Sequence, residues 1–353
     1  MTAFWTDPDF DEHELVQLVH DRASGLTAVI AIHSTHLGGA GGGVRFWRYA
    51  DPAGGLTDAL RLSRGMSYKN AMAGLAMGGG KAVILSDAAG TKTPGMLAAF
   101  ADAVEALGGR YVTAQDVGMS MDDIMAISRR TAFVSGLPPA AGEAGGTPGP
   151  FTAQGIFLGI KAAVRHKLGR DSMAGLHVAV QGAGAVGGGT ARLLAADGAR
   201  LTIADMDAAK AQALAAELGG TAVAADAIMA VPCDVFSPCA LGAILDDAGI
   251  ARLNTGIVAG GANNQLARPE HGAALAARDI LYAPDYVINA GGIVSVAVEY
   301  LARTKGQPAD LGEVEARIAA IPGRLEAIWA ESAASGRSPD VVADAMARKL
   351  IGR

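Results

Sequence analysis

The stretch Leu176-His-Val-Ala-Val-Gln-Gly182-Ala-Gly184-Ala-Val-Gly187 decides how this chain is built. Leu176–Gln181 is an apolar run of strand length, and a helix follows through Ala191–Ala196, so the glycines fall at a strand-to-helix turn. Gly182 permits the tight turn, Gly184 lets backbone approach a pyrophosphate, and Gly187 lets the helix pack on the strand. Ala185 and Val186 open the helix, whose first amides face the phosphates. The next strand, Arg200–Ala204, ends at Asp205, 23 positions after Gly182, where a carboxylate can hold ribose hydroxyls. That charge disfavours a 2′-phosphate and no Arg follows it, so the expected cofactor is NAD.

Apolar strands continue to alternate with helices: HVAVQG, RLTIADMD, TAVAA, DVFSPCA, TGIVAGGAN and ILYAPDYVINAGG. This pattern predicts a parallel sheet covered on both faces. Upstream, Gly136–Pro150 holds five Gly and four Pro and reads as a linker or hinge loop, followed by a helix at Thr152–His166. Before it, 14–32 reads as two strands turning at Ser24-Gly25, and Ala50–Tyr68 as a helix with Asp58 and Arg61 toward water. Ala82–Leu85 and Arg110–Ala114 read as strands, Thr93–Ala106 as a helix, and Val314–Leu350 as helical with a break near Ser335–Pro339. The expected class is α/β. An N-terminal α/β domain with a mixed sheet (1–147, with 335–353 returning to it) joins a Rossmann-type domain (148–334), with the active site in the interdomain cleft.

The 353 residues are half hydrophobic and 18% charged, which fits globular rather than disordered sequence. The net charge is −6 and no Lys/Arg run forms a basic patch, which argues against nucleic acid and anionic membranes as partners. The acidic start MTAFWTDPDFDEHELVQL has no apolar core of a secretory signal, and the two cysteines make no disulfide framework, so a cytoplasmic setting is expected. The seven His are scattered and no HExxH or CxxC occurs, so no metal is expected.

A second glycine cluster surrounds two lysines, in Gly65-Met-Ser-Tyr-Lys69-Asn-Ala-Met-Ala-Gly-Leu-Ala-Met-Gly78-Gly79-Gly80-Lys81-Ala-Val-Ile-Leu85. A lysine in apolar sequence is a weaker acid-holder than usual: burial lowers its pKa and lets it serve as a base near neutrality. The three glycines before Lys81 suggest open space for a substrate. Tyr111-Val-Thr-Ala-Gln-Asp116-Val-Gly118 adds an acid at a strand end. Taken alone, Lys69 also fits a snorkelling surface lysine and Asp116 a turn cap.

MSYKNAMAGLAMGGGKAVI, YVTAQDVG, VAVQGAGAVGG, CDVFSPCALG, VAGGANNQL and ILYAPDYVINAGG, in this order, resemble the glutamate/leucine/phenylalanine/valine dehydrogenase family nearly end to end, from Leu37–Arg45 to the last helix. The resemblance implies an amino-acid dehydrogenase, reversible between a hydrophobic L-amino acid and its 2-oxo acid plus ammonia, assembled as a homo-oligomer through the first domain. It implies that Lys69 binds the α-carboxylate, Lys81 is the catalytic lysine and Asp116 the acid beside it. It places Asn289 near substrate and cofactor, Thr152, Gly261, Ala262 and Asn263 near the nicotinamide, and Cys239 and Ala240 in a loop beside the cofactor, with Cys239 a spectator.

Glutamate enzymes of the family carry a lysine where this chain has Gly41, and leucine-type enzymes a leucine. A γ-carboxylate facing Gly41 would be buried unpaired, so glutamate is disfavoured. Gly41 suggests a larger pocket, whereas Ala114 is leucine-like. The remaining wall is expected near Ile318–Leu325, where Pro322 interrupts the helical pattern. Gln115 stands where the family has a Glu. Leucine and branched-chain substrates are favoured, with a phenylalanine-type enzyme as the alternative and a non-catalytic NAD sensor as a remote one.

Overall fold

The computed structural model describes residues 4–87, 90–140 and 142–353. Contacts divide the chain into two compact units: Met1–Gly146 with Ser295–Leu311 and Ala347–Arg353, and Thr147–Val294 with Gly312–Met346. Thus 295–311, and not the whole of 335–353, joins the first unit.

In the first unit the order is β1 (Leu15–Asp21), β2 (Leu26–Ser34), β3 (Ala40–Gly41), β4 (Val44–Trp47), α1 (Ala53–Met72), β5 (Gly78–Leu85), α2 (Pro94–Ala106), β6 (Tyr111–Val112) and α3 (Met121–Ser128). The sheet runs β1-β2-β5-β3-β6, and β4 also pairs with β5. The β1/β2 and β2/β5 pairs are antiparallel and the others parallel, so the sheet is mixed as expected. Both faces of β2 and β5 are covered. Leu26, Ala28, Ile30, Ile32, Ala82 and Ile84 meet Phe100, Val104, Ile124 and Ile127 on one side. Val29, Ala31 and Val83 meet Ala59 and Leu60 of α1 on the other. This explains the continuously apolar sequence. Two caps hold the helices at this end: Thr93 accepts from Met96 N, and Ser120 and Asp123 form a capping box.

β5 begins at Gly78, four residues earlier than the sequence suggests. The three glycines are strand, not open space. A side chain at Gly78 would strike the Ser34 carbonyl, one at Gly79 the Ser67 backbone of α1, and one at Gly80 the Tyr111 ring at 2.7 Å. Glycine is needed there because neighbouring backbone packs directly on the strand.

The second unit contains α4 (Gly149–Leu168), β7 (His177–Gln181), α5 (Ala185–Ala196), β8 (Arg200–Ala204), α6 (Ala208–Leu218), β9 (Thr221–Ala222), β10 (Val235–Pro238), α7 (Asp247–Arg252), β11 (Ile257–Val258), α8 (Glu270–Ala277), β12 (Leu281–Tyr282) and α9 (Asp285–Ile288). α10 (Gly291–Arg303) passes from this unit into the first, and α11 (Leu311–Ala319), α12 (Ile321–Ser335) and α13 (Pro339–Leu350) follow. Its parallel sheet has the order β9-β8-β7-β10-β11-β12, doubly wound with the strand order reversing between β7 and β10. The helix after the linker starts at Gly149, with Pro150 in its first turn. Pro322 likewise sits in the first turn of α12 and starts a helix rather than interrupting one. Ile321 and Leu325, expected as pocket wall, are fully buried and pack toward Gly155 and Gly159 of α4. Among the described residues no helix is long and apolar enough to cross a membrane.

On β2, His33 is fully buried. Its Nδ1 bonds Ser67 Oγ at 2.8 Å, and Arg353 reaches its Nε2 (2.9 Å) and its carbonyl (2.8 Å). Burial first, then the charges of Arg353 and His13, push its pKa down to about 3, against the opposing pull of Asp11. The unfolded chain therefore takes up a proton near pH 6.5 that the folded chain refuses until about pH 3. This contribution to stability is complete above pH 6.5 and is lost on acidification, at a slope on the order of 1 kcal/mol per pH unit. His33→Gln should flatten the acid side of the Tm-versus-pH curve between those values. A variant curve parallel to the wild type would contradict the assignment.

Candidate active site

Two sets of residues stand out, one in each unit. In the first, Lys81 lies on the face of β5 that meets α1, shared with Val83. It is 6% exposed, a degree of burial at which a lysine needs a charged partner. The partner is Asp116, whose Oδ2 accepts from Lys81 Nζ. Asp116 follows the short β6, and Gly43 admits it: a side chain at Gly43 would meet the Gln115 carbonyl at 2.8 Å and Asp116 Cβ at 2.9 Å. Burial lowers the Lys81 pKa, opposed by Asp116. Burial pushes the Asp116 carboxyl up, but the Lys81 and Arg45 charges outweigh it and hold it below the usual range. The product is a lysine made more easily deprotonated beside a carboxylate that stays ionised, able to pass a proton between them.

Arg45 was not foreseen as part of this set. Its Nη1 donates to Asp58 Oδ2 at 2.7 Å, its Nε lies 3.7 Å from Asp116 Oδ2, and Tyr49 OH donates to Asp58 at 2.6 Å. Asp58, expected toward water, is half-buried and paired. Helical periodicity assigned it to the wet face of α1, but β4, pairing with β5, brings Arg45 against that face. The signal available was Arg45 itself, at the end of the glycine run. Gln115 Nε2 donates to Met119 O at 3.0 Å and so ties down the turn before α3.

Lys69 lies half-buried in the last turn of α1, next to Asn70, which donates to Gly78 O at 2.6 Å. Ala114 accepts from Val44 N at 2.9 Å, joining the Asp116 segment to β4. Gly41, on β3 opposite Gly79, leaves no open space: a Cβ there would lie 2.6 Å from Met77 Cε. The expected enlargement at this position is therefore filled by another side chain.

In the second unit the predicted glycine turn follows β7. Gly182 has φ +104°, and a side chain there would meet the Cys239 carbonyl at 2.9 Å and the Ala240 methyl at 3.1 Å, so only glycine lets the β7 and β10 loops approach. A Cβ at Gly187 would strike Gly182 O, whereas one at Gly184 meets nothing within 4 Å. No side chain caps α5, which begins at Ala185 and Val186. Space at Gly184 and an uncapped helix start suit a pyrophosphate. Asp205 accepts from Ala183 N and Asp207 N, both at 2.8 Å, which lowers its pKa and places an ionised carboxylate against the turn. These features fit a dinucleotide.

The neighbouring loops gather the remaining residues. Asn289, 2% exposed, donates to Gly261 O (3.2 Å) and Asn263 Oδ1 (2.8 Å), and its own Oδ1 is buried without a hydrogen-bond partner. Ala262 N donates to Pro238 O at 2.9 Å. Thr152 Oγ1 donates to Pro148 O at 2.9 Å in the first turn of α4. Gly261 N points to Cys239 Sγ at 3.4 Å. Burial pushes the Cys239 thiol up, so it is a poor nucleophile.

Comparison with known proteins identifies the family. The description "Glu/Leu/Phe/Val dehydrogenase, dimerisation domain" matches residues 13–132, and "Glutamate/Leucine/Phenylalanine/Valine dehydrogenase" matches 207–350. Leucine dehydrogenase of Thermoactinomyces intermedius is 47% identical over 290 residues, 82% of this chain and 79% of that protein. Valine dehydrogenase of Streptomyces virginiae is 43% identical over 342 residues, covering 96% and 94%. The crystal structure of L-tryptophan dehydrogenase from Nostoc punctiforme superposes with a TM-score of 0.83 at 38% identity, covering 96% of each chain. With two family models matching 13–132 and 207–350 and identity of this order over most of its length, the chain belongs to the glutamate/leucine/phenylalanine/valine dehydrogenase family of NAD(P)-dependent amino-acid dehydrogenases.

Proposed function

We propose that this enzyme uses NAD to deaminate leucine and other branched-chain L-amino acids oxidatively, and runs the reverse amination. The observation that carries the chemistry is the buried Lys81–Asp116 pair. Leucine and valine dehydrogenases among the relatives support the aliphatic substrate class, and the absence of a cation at Gly41 argues against glutamate. The likeness to a tryptophan dehydrogenase favours one second reading, an aromatic substrate.

In this reading Lys69 pairs with the substrate α-carboxylate and fixes the orientation of Cα. The nicotinamide, when bound, supplies the two-electron acceptor that turns the amine into an imine. Lys81 in its neutral form takes a proton from water as the water adds to the imine carbon. Asp116 accepts that proton and returns it to the nitrogen that leaves as ammonia. The Asn289 amide holds the Gly261–Asn263 segment in place, and its spare oxygen is free to accept from substrate or cofactor. Gly182, Gly184, Ala185, Val186 and Gly187 would hold the pyrophosphate, Asp205 the ribose, and Thr152, Cys239, Ala240 and Ala262 would line the cofactor. A homo-oligomer formed through the first unit is supported by the dimerisation-domain description of residues 13–132.

Absorbance of the reduced cofactor, followed with leucine, valine, isoleucine, phenylalanine, tryptophan and glutamate, tests the substrate class; glutamate as the best substrate would sink it. Lys81→Ala should lower kcat by about three orders of magnitude while dinucleotide binding persists, and near-normal turnover would exclude the mechanism. Lys69→Ala should act chiefly through KM, and an unchanged KM would remove its carboxylate role. Asp205→Asn should raise the NADP-to-NAD ratio of kcat/KM about tenfold by removing the repulsion of a 2′-phosphate. An unaltered ratio would mean that the selectivity lies elsewhere.

A further inference from the structure

We propose that Gln265 is a positioning residue for hydride transfer: its one carboxamide holds the loop after β11 in the shape that receives the nicotinamide half of the dinucleotide. The inference rests on the reading of the second unit as the NAD site. The loop, Gly260-Gly261-Ala262, has almost no side chain of its own, so its shape has to be imposed by its neighbours. Gln265 is fully buried, and its Nε2 donates to Gly260 O at 2.8 Å and to Ala262 O at 3.0 Å. The carbonyl between them, Gly261 O, accepts from Asn289 Nδ2 at 3.2 Å. Three successive carbonyls are thus taken up by side-chain amides from outside the loop. Gln265 is itself hung from the start of α9: the buried Asp285 accepts from Gln265 N through Oδ2 at 2.8 Å and from Tyr286 N through Oδ1 at 2.6 Å.

The place of the loop gives these bonds their purpose. It follows β11 at the carboxyl end of the parallel sheet, on the β10 side of β7. Ligands of doubly wound sheets lie outside that end, where the strand order reverses. Asp205 at the end of β8 would hold one ribose and the glycine turn after β7 the pyrophosphate, which leaves the ends of β10 and β11 for the second nucleotide. The loop reaches that turn: a Cβ at Gly261 would lie 3.0 Å from Val186 Cγ1, in the first turn of α5. A glycine loop whose carbonyls bond only to water is free to take many shapes. Carbonyls held by Gln265 and Asn289 keep one shape, and keep it when a ligand displaces the water. Gln265 has no exposed surface, so it acts through the loop rather than by touching a ligand.

The test separates the two halves of the cofactor. Dissociation constants of NADH and of ADP-ribose, which lacks the nicotinamide, are measured for the wild type, Gln265→Met and Gln265→Asn. With them go kcat and the primary deuterium isotope effect for leucine labelled at Cα. Gln265→Met keeps the volume and loses both donors, whereas Gln265→Asn keeps the amide but is one methylene too short to serve both carbonyls. Each variant should bind NADH about tenfold more weakly, the scale of a lost hydrogen bond, and ADP-ribose as the wild type does. kcat should fall at least about tenfold and the isotope effect on it should rise, because a misplaced ring slows the passage of the Cα hydride. Equal losses of NADH and ADP-ribose affinity would mean that Gln265 only supports the fold of the unit, and overturn the proposal. So would wild-type NADH binding and isotope effect in the folded variants, and if Gln265→Met does not fold, Gln265→Asn decides. The binding measurements need no turnover: a selective loss of NADH affinity in a protein that oxidises no hydrophobic amino acid would remove the proposed substrate class and leave the role of Gln265 standing.

Discussion

The burial of one cation, Lys81, constrains the first unit more than any other feature. A lysine 6% exposed inside a sheet is tolerable only with an anion at contact, and removing one member of such a pair typically costs about 3–5 kcal/mol. Asp116 must therefore be delivered to a fixed point beside β5. β6 and β3 bring it there, Gly43 makes room, and the Arg45–Asp58–Tyr49 cluster behind it supplies positive charge without competing for the lysine. The arrangement leaves a buried ion pair beside β5, with the Arg45 guanidinium as a second cation near the carboxylate.

Glycine serves opposite purposes in the two units. At Gly182 it adopts φ +104° and lets two loops meet, while at Gly184 it leaves the room that a pyrophosphate would fill. At Gly78–Gly80 the conformation is ordinary strand, and glycine is required because α1, β2 and β6 press on the backbone. The same residue type opens space in one place and eliminates it in the other. Composition alone does not distinguish them, since the difference lies in what approaches from distant sequence. Met77 and Gly41 make the same point: the volume at a position belongs to whichever side chain reaches it.

The sequence by itself determined the doubly wound unit, because strand and helix periods, the glycine turn and the acid at Asp205 are all local patterns spaced along one stretch of chain. It also drew attention to Lys81, a charge inside an apolar run, while the roles expected of Lys69, Lys81 and Asp116 came from the family resemblance of the motifs around them. Tertiary structure alone decided that the glycines before Lys81 are strand, that Asp58 faces Arg45 rather than water, that Ile321 and Leu325 pack toward α4, and that 295–311 returns to the first unit. Each of these follows from pairing between segments far apart in sequence. Periodicity reports which side of an element is covered, but which neighbour covers it is set by sheet order and register, and no local propensity encodes that choice.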